Sequence, residues 1–185
     1  KAPVFSMAKL VGVDWFLGPE MKSTGEVMGV DVDFPKALSK ALLAANLSLA
    51  KGSGVLLSIA DTDKAEATTM IRSLVDAECN LYATEGTAAM ITAMGFPVTM
   101  TTKKLNEGHP NVIDVIEDGS VKAVVNTVTG SANVLRDGFD IRRVAVEKRI
   151  PCFTSLDTAR AAVESLLADE ASYNVQPTVE YLSFK

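Results

Sequence analysis

The sequence predicts an α/β fold built on a five-stranded, parallel, doubly wound sheet. Two observations carry this expectation. Short apolar runs of strand length, at 55–59, 81–84, 98–102, 121–128 and 152–154, alternate with stretches whose apolar residues follow helical spacing. Such runs read as strands buried on both faces, and their alternation with helices implies a parallel sheet covered on each side. The second observation is composition. The chain has 185 residues, 48% hydrophobic and 22% charged, with a mean hydropathy of +0.20. A chain of that size and apolarity can bury a core, which excludes global disorder.

Taken in order, residues 1–50 form a first region. Gly12, Gly18, Pro19, Gly25 and Gly29 interrupt any long periodic element there. Asp33 then caps a helix whose apolar stripe is Phe34, Ala37, Leu38, Ala41, Leu42 and Ala45. The small, polar run 46–54 reads as a linker, and residues 51–185 form the α/β unit. Its first strand, 55–59, leads to Asp61-Thr62-Asp63, expected to cap a helix bearing Ala65, Met70, Ile71, Leu74 and Val75. Strand 81–84 runs into a helix opened by Gly86 and Thr87 and stopped by Gly95. Strand 98–102 is followed by a short helix over 111–117 that ends near Gly119. The most apolar strand, 121–128, precedes a loop over 129–132, a helical stretch around Val134 and a separate helix over 141–148. Strand 152–154 and an amphipathic helix over 156–168 close the unit, and the tail after Ser172 shows no period.

Charge and cysteine usage narrow the function. Eighteen Lys+Arg against 23 Asp+Glu give a formal charge of -5 and a pI near 4.9. A general nucleic-acid binder shows a basic face, so that role is not expected, although a local pocket for a small anion is compatible. Cys79 and Cys152 each lie in an apolar run. They read as buried free thiols, following intracellular habit, although a pair is open in principle. With the single histidine His109 and no CxxC pair, no zinc site is expected. No apolar stretch approaches the ~20 residues of a membrane helix. The N-terminus lacks a charged-then-apolar signal pattern and begins at Lys1. The chain therefore reads as a soluble, intracellular piece of a longer polypeptide.

In a doubly wound sheet the ligand lies beyond the carboxyl ends of the strands. The loops after Ile59, Ala83, Thr102 and Val125 are thus the places to search. Ser58 and Lys64 flank the first. Lys64 falls in the first turn of a helix, where the dipole disfavours a cation. It is either a solvated lysine or an anion clamp beside free helix amides. In Ala83-Thr-Glu-Gly-Thr87 two hydroxyls flank a glycine at a strand-to-helix junction. Gly86 permits a tight turn in which backbone N–H groups and hydroxyls converge on a phosphate or carboxylate. A plain threonine N-cap is the alternative, and Glu85 opposes an anion unless it points away. Lys103 and Lys104 follow the third strand at the same sheet edge. Asn126, Thr127 and Thr129 end the fourth, where an amide either reads a base or ribose or forms a local turn. His109 reads as a surface residue. Arg142 and Arg143 suit surface pairs or subunit contacts as well as ligand contacts. There is no Ser-His-Asp set, P-loop lysine or GxGxxG, and no catalytic residue is assigned.

These motifs carry a resemblance. Gly18-Pro-Glu-Met-Lys-Ser-Thr-Gly-Glu-Val-Met-Gly29 resembles the segment closing the second ATP-grasp half of the carbamoyl-phosphate synthetase large-subunit family. Ala83-Thr-Glu-Gly-Thr87, Asn106-Glu-Gly-His-Pro110, Val125-Asn-Thr127 and Ile141-Arg-Arg143 resemble that family's C-terminal regulatory domain, of methylglyoxal-synthase-like fold. The match covers nearly the whole chain in the right order. The resemblance implies that residues 1–50 are the tail of the second ATP-grasp unit with its connecting helix, and that 51–185 are an allosteric domain. It implies a non-catalytic fragment of a cytoplasmic enzyme, a glutamine-hydrolysing ligase. That enzyme makes carbamoyl phosphate from bicarbonate, glutamine-derived ammonia and two ATP, for pyrimidine and arginine synthesis. The fragment itself would hold no cofactor. ATP, Mg or Mn, and K would serve the parent enzyme. The implied partners are a nucleotide effector (UMP or IMP), the rest of the large subunit and a glutaminase small subunit, with no nucleic acid and no membrane. Apart from the resemblance, an apolar face around Phe5, Trp15 and Phe16 leaves a homo-oligomer open.

Family phosphate contacts map onto Ser58, Lys64, Thr84, Thr87 and Lys104, and base or ribose contacts onto Asn126, Thr129, Asp137, Val112 and Ile141. Departures from the family pattern bear on the ligand. Val128 stands where a ligand-contacting threonine is common, with Thr129 one step later, and the loop from Thr129 to Asp137 reads one residue longer than in the enteric type. Phe153 stands where ornithine-responsive members place an aspartate, which argues against ornithine. Glu85 is compatible with N-acetylglutamate, whereas Lys64 and Lys104 favour a phosphorylated ligand. Two readings of other classes are a methylglyoxal-synthase-type lyase acting on a triose phosphate and a structural domain without a ligand. The lyase needs a carboxylate base beside the phosphate. No aspartate-bearing glycine loop follows the second strand.

Overall fold

The computed structural model describes residues 1–4, 25–103, 108–127, 132–167 and 175–182. Strands β1 (Ala2–Val4) and β2 (Gly25–Val27) pair antiparallel, Ala2 opposite Val27. Helix α1 (Phe34–Ala44) follows, with the Asp33 carboxylate accepting from the Lys36 amide as its N-cap. The α/β unit then runs β3 (Gly54–Ser58), α2 (Lys64–Asp76), β4 (Asn80–Thr84), α3 (Glu85–Ala93), β5 (Thr99–Thr101), α4 (Val112–Glu117), β6 (Ala123–Asn126), α5 (Ala132–Glu147), β7 (Cys152–Phe153) and α6 (Leu156–Leu167). A short helix α7 (Thr178–Tyr181) closes the described chain.

Strands β3 to β7 form one parallel sheet in the order β5-β4-β3-β6-β7. The five-stranded, doubly wound expectation is met. The chain starts in the middle at β3, winds out to β5, then returns to the other side of β3 as β6. The strand order therefore reverses between β3 and β6, and it is beyond the carboxyl ends at such a reversal that a doubly wound sheet takes its ligand.

Alternation along the strands divides the core. Val55, Leu57, Leu81, Ala83, Ala123 and Val125 face α2, α3 and α6, where Ile71, Leu74, Ile91 and Val163 are buried. Leu56 and Val124 face α4 and α5, against Val112, Val115, Ile116 and Ile141. Cys79 and Cys152 are both buried and free, as expected. Gly54 is required by packing: a Cβ there would lie 1.9 Å from the Ser120 carbonyl oxygen.

Several local expectations are corrected. Asp61-Thr62-Asp63 does not cap α2 through a side chain. It forms a 3-10 turn, with the Thr62 hydroxyl donating to Asp63 at 2.8 Å. The two helical pieces expected at 134 and 141–148 are a single helix, α5, with Gly138 inside it. The strand expected over 121–128 is confined to Ala123–Asn126 among the described residues, and β7 stops at Phe153. The β1–β2 pair and α7 carry too few residues to show a period.

Candidate functional site

At the crevice four strands end in polar side chains on the α4–α5 side of the sheet. Ser58 is in register with Asn126, and Thr84 with Thr101. Leu57 opposite Ala83 brings Ser58 and Thr84 level. All four are buried: Ser58 is 6% exposed, Thr84 7%, Thr101 0% and Asn126 3%. Polar groups in such a place need hydrogen-bond partners, and most have them. The Thr101 hydroxyl finds none among the described residues.

The loop leaving β3 is held from both sides. The Ile59 amide donates to the Thr87 hydroxyl at 3.1 Å, and the Ala60 amide donates to the Thr127 hydroxyl at 2.9 Å. The Thr127 amide in turn donates to the Ser58 carbonyl at 3.1 Å. Each threonine hydroxyl accepts from the backbone and keeps its own O–H as a donor. This loop leads directly to Lys64, whose ammonium lies 3.1 Å from where a Cβ on Gly86 would stand. A side chain at residue 86 would displace the ammonium. The cation thus sits over the first turn of α3, where the N–H groups of Glu85, Gly86 and Thr87 have no intrahelical acceptor. Thr84 occupies the N-cap position without a side-chain capping bond, so its hydroxyl is not spent as the plain capping reading requires. Glu85 is exposed.

Lys64 also pairs with Asp61 at 2.7 Å, and this hydrogen bond and the lysine's charge hold the exposed Asp61 carboxyl below its ordinary range. The lysine therefore already has an anionic partner, one that an incoming anion would replace.

Of the residues expected at the site, Ser58, Lys64, Thr84, Thr87 and Asn126 gather at this crevice. Val112 and Ile141 lie in the core beneath it, 1% and 0% exposed. Lys104 and Thr129 lie outside the described residues. Asp137 falls within α5, its side chain likewise undescribed. His109 pairs with Asp114 at the surface, and that carboxylate also accepts from the Asn111 amide at 2.9 Å in a capping box. The Asn111 amide, followed by the His109 ring, draws Asp114 below its usual range. Arg142 corrects the surface expectation. It is fully buried and its Nη1 donates to Asn126 Oδ1 at 2.8 Å. The helical stripe through Ile141 and Ala145 gives no sign that the arginine between them points inward. Gly138, one turn earlier, is the only local signal.

A separate cavity of about 190 Å³ lies between α1, β1 and β7, lined by Leu38, Leu42, Leu47, Phe153, Thr154 and Lys1 among others. No carboxylate is among its described lining residues. Among the described residues no group of His, Cys, Asp or Glu could hold a metal ion, and no helix is long and apolar enough to cross a membrane.

A parallel sheet with this strand reversal and a polar strand-end crevice defines the class. Residues 66–154 match the family model of the MGS-like domain, and the chain carries such a domain. Over 181 residues, 98% of the chain, it is 53% identical to the carbamoyl phosphate synthase large chain of Thermomicrobium roseum. The chain spans 17% of the length of that relative. The family resemblance carried by the motifs is borne out.

Proposed function

We propose that this chain is the allosteric part of a carbamoyl phosphate synthase large chain and that its crevice binds a nucleoside monophosphate effector, UMP or IMP. The observation that carries this reading is the Lys64 ammonium held over Gly86 at the start of α3, flanked by Thr84 and Thr87. A phosphate there meets helix amides, two hydroxyls and a cation, a set of charge-assisted donors suited to a dianion. The 53% identity to a carbamoyl phosphate synthase large chain supports the wider setting. In that setting the full protein makes carbamoyl phosphate from bicarbonate, ammonia from a glutaminase partner and two ATP with Mg or Mn. Residues 1–50 belong to its ATP-grasp tail and residues 51–185 are the effector domain. The family resemblance adds Lys104, Thr129 and Asp137 as proposed ligand contacts, and Val112 and Ile141, buried in the core, underlie the crevice. The effector regulates only by binding two states of the whole enzyme with different affinity.

The test is calorimetric titration of UMP and IMP into the full-length protein, with Lys64→Ala alongside. Saturable binding that Lys64→Ala weakens at least about tenfold is the expected result, the loss of one charge-assisted contact. No binding of either nucleotide would overturn the reading and turn attention to an acylamino acid or to a domain without a ligand.

A further inference from the structure

We infer that Arg142 is a positioning residue for the effector crevice. It holds the Asn126 amide in one orientation, so Asn126 meets the ligand as a donor and the ligand group it recognises is an acceptor. This rests on the nucleotide reading above. The argument begins with what a guanidinium can do. It has five N–H donors and no acceptor. Arg142 Nη1 lies 2.8 Å from Asn126, so the atom facing it is the amide oxygen, and the NH2 group turns away. That NH2 lies 3.5 Å from the Ser58 carbonyl, its partner on the neighbouring strand. The reversed amide would set donor against donor in a fully buried place.

Gly138 closes the arrangement. A Cβ there would lie 2.4 Å from Arg142 Nη1 and 2.7 Å from Asn126 Oδ1. Only a residue without a side chain lets the guanidinium reach the amide. The same close approach walls the amide oxygen off from the crevice. What remains for a ligand is the second N–H of Asn126, beside Ser58 and one strand from Thr84. On a nucleoside monophosphate that donor suits a phosphate oxygen, a ribose oxygen or a base carbonyl. It refuses a group that offers only N–H.

A double-mutant cycle on affinity tests the inference in the full-length protein. UMP and IMP are titrated into wild type, Asn126→Ala, Arg142→Met and the double variant, with Arg142→Lys as the conservative rescue. Each single variant is expected to weaken binding about tenfold, the worth of one lost or misaligned hydrogen bond. The double variant is expected to match Asn126→Ala within about twofold, because the effect of Arg142 on the ligand passes through Asn126. Arg142→Lys, which keeps a donor, is expected to recover most of the affinity. A purely structural arginine would lower the thermal midpoint and add its loss to that of Asn126→Ala, and an additive cycle would overturn the inference. If Arg142→Met does not fold, Arg142→Gln, too short to reach Asn126, takes its place in the cycle. Wild type that binds neither nucleotide overturns the nucleotide reading itself. Wild type that binds with an additive cycle overturns only the role of Arg142.

Discussion

Thr87 shows how one side chain serves both fold and site. Its hydroxyl, 1% exposed, accepts from the Ile59 amide and so fixes the loop that carries Lys64. Thr87→Val fills the same volume but leaves a buried N–H without an acceptor. It is expected to cost about 1–3 kcal/mol in urea unfolding, with Thr87→Ser close to wild type. The neighbouring Asp61 has the opposite role. It is exposed and occupies the Lys64 ammonium at 2.7 Å, so it competes with any anion for that charge. Asp61→Asn is expected to tighten nucleotide binding about two- to fivefold, the range of an exposed ion pair. A titration showing weaker binding would mean that Asp61 orients the lysine and does not compete for it.

At the scale of elements, α5 inverts an ordinary rule. Glycine inside a helix is about 1 kcal/mol worse than alanine, so Gly→Ala there usually stabilises. At Gly138 the added methyl would meet Arg142 Nη1 at 2.4 Å and Asn126 Oδ1 at 2.7 Å. Gly138→Ala is therefore expected to destabilise, by about 1–3 kcal/mol as for other overpacked sites, measured by chemical unfolding. The same element shows where the sequence misleads. Gly138 and the polar residues around it suggest a break between two helices, because glycine is a poor helix former. The helix continues because Ile141, Val144 and Ala145 bury against Leu56 and Val124, and because Arg142 finds Asn126. Packing of a face outweighs the local propensity of one residue.

At the scale of the molecule, α1 and the C-terminal helix α7 are joined through one lysine. The Lys40 ammonium lies 2.7 Å from the buried Asp31 carboxylate, donates to the Val30 carbonyl at 3.0 Å and to the Tyr181 hydroxyl at 3.1 Å, and stands 5.2 Å from the Tyr181 ring centre. The hydrogen bond from Lys40 holds the Asp31 carboxyl below its ordinary 3.8, and the bond to Asp31 raises Lys40 above its ordinary 10.5. The depressed carboxyl contributes stability that is full above 3.8 and lost as pH falls through its folded value. The raised lysine contributes stability that is full below 10.5 and lost as pH rises through its folded value. The link is thus complete between those limits and fails on both sides. Thermal midpoints measured across pH should separate wild type from Lys40→Met inside that window and converge below its acid end, as pH falls through the folded value of Asp31. Tyr181→Phe keeps the ring over the ammonium and loses only the hydroxyl, so it is expected to lie between wild type and Tyr181→Ala.

The sequence by itself determined the class of fold, the number of sheet strands and their succession along the chain, the Asp33 cap and the loops that hold the candidate site. The order β5-β4-β3-β6-β7 within the sheet came from the tertiary structure. Apolar period and turn residues are local properties, and a parallel sheet follows from their alternation. The gathering of Ser58, Lys64, Thr84, Thr87 and Asn126 was also legible, because strand ends in a doubly wound sheet converge. What tertiary structure alone decided was the bonding among those residues. The Thr87 and Thr127 hydroxyls reach across to the β3 loop, residues 28 and 67 positions away. Arg142 turns inward to Asn126 through a space that Gly138 leaves open. Lys40 ties the chain to Tyr181 across 141 positions. No window of neighbouring residues contains these pairs, since side chains so far apart in the chain meet only after the sheet has assembled.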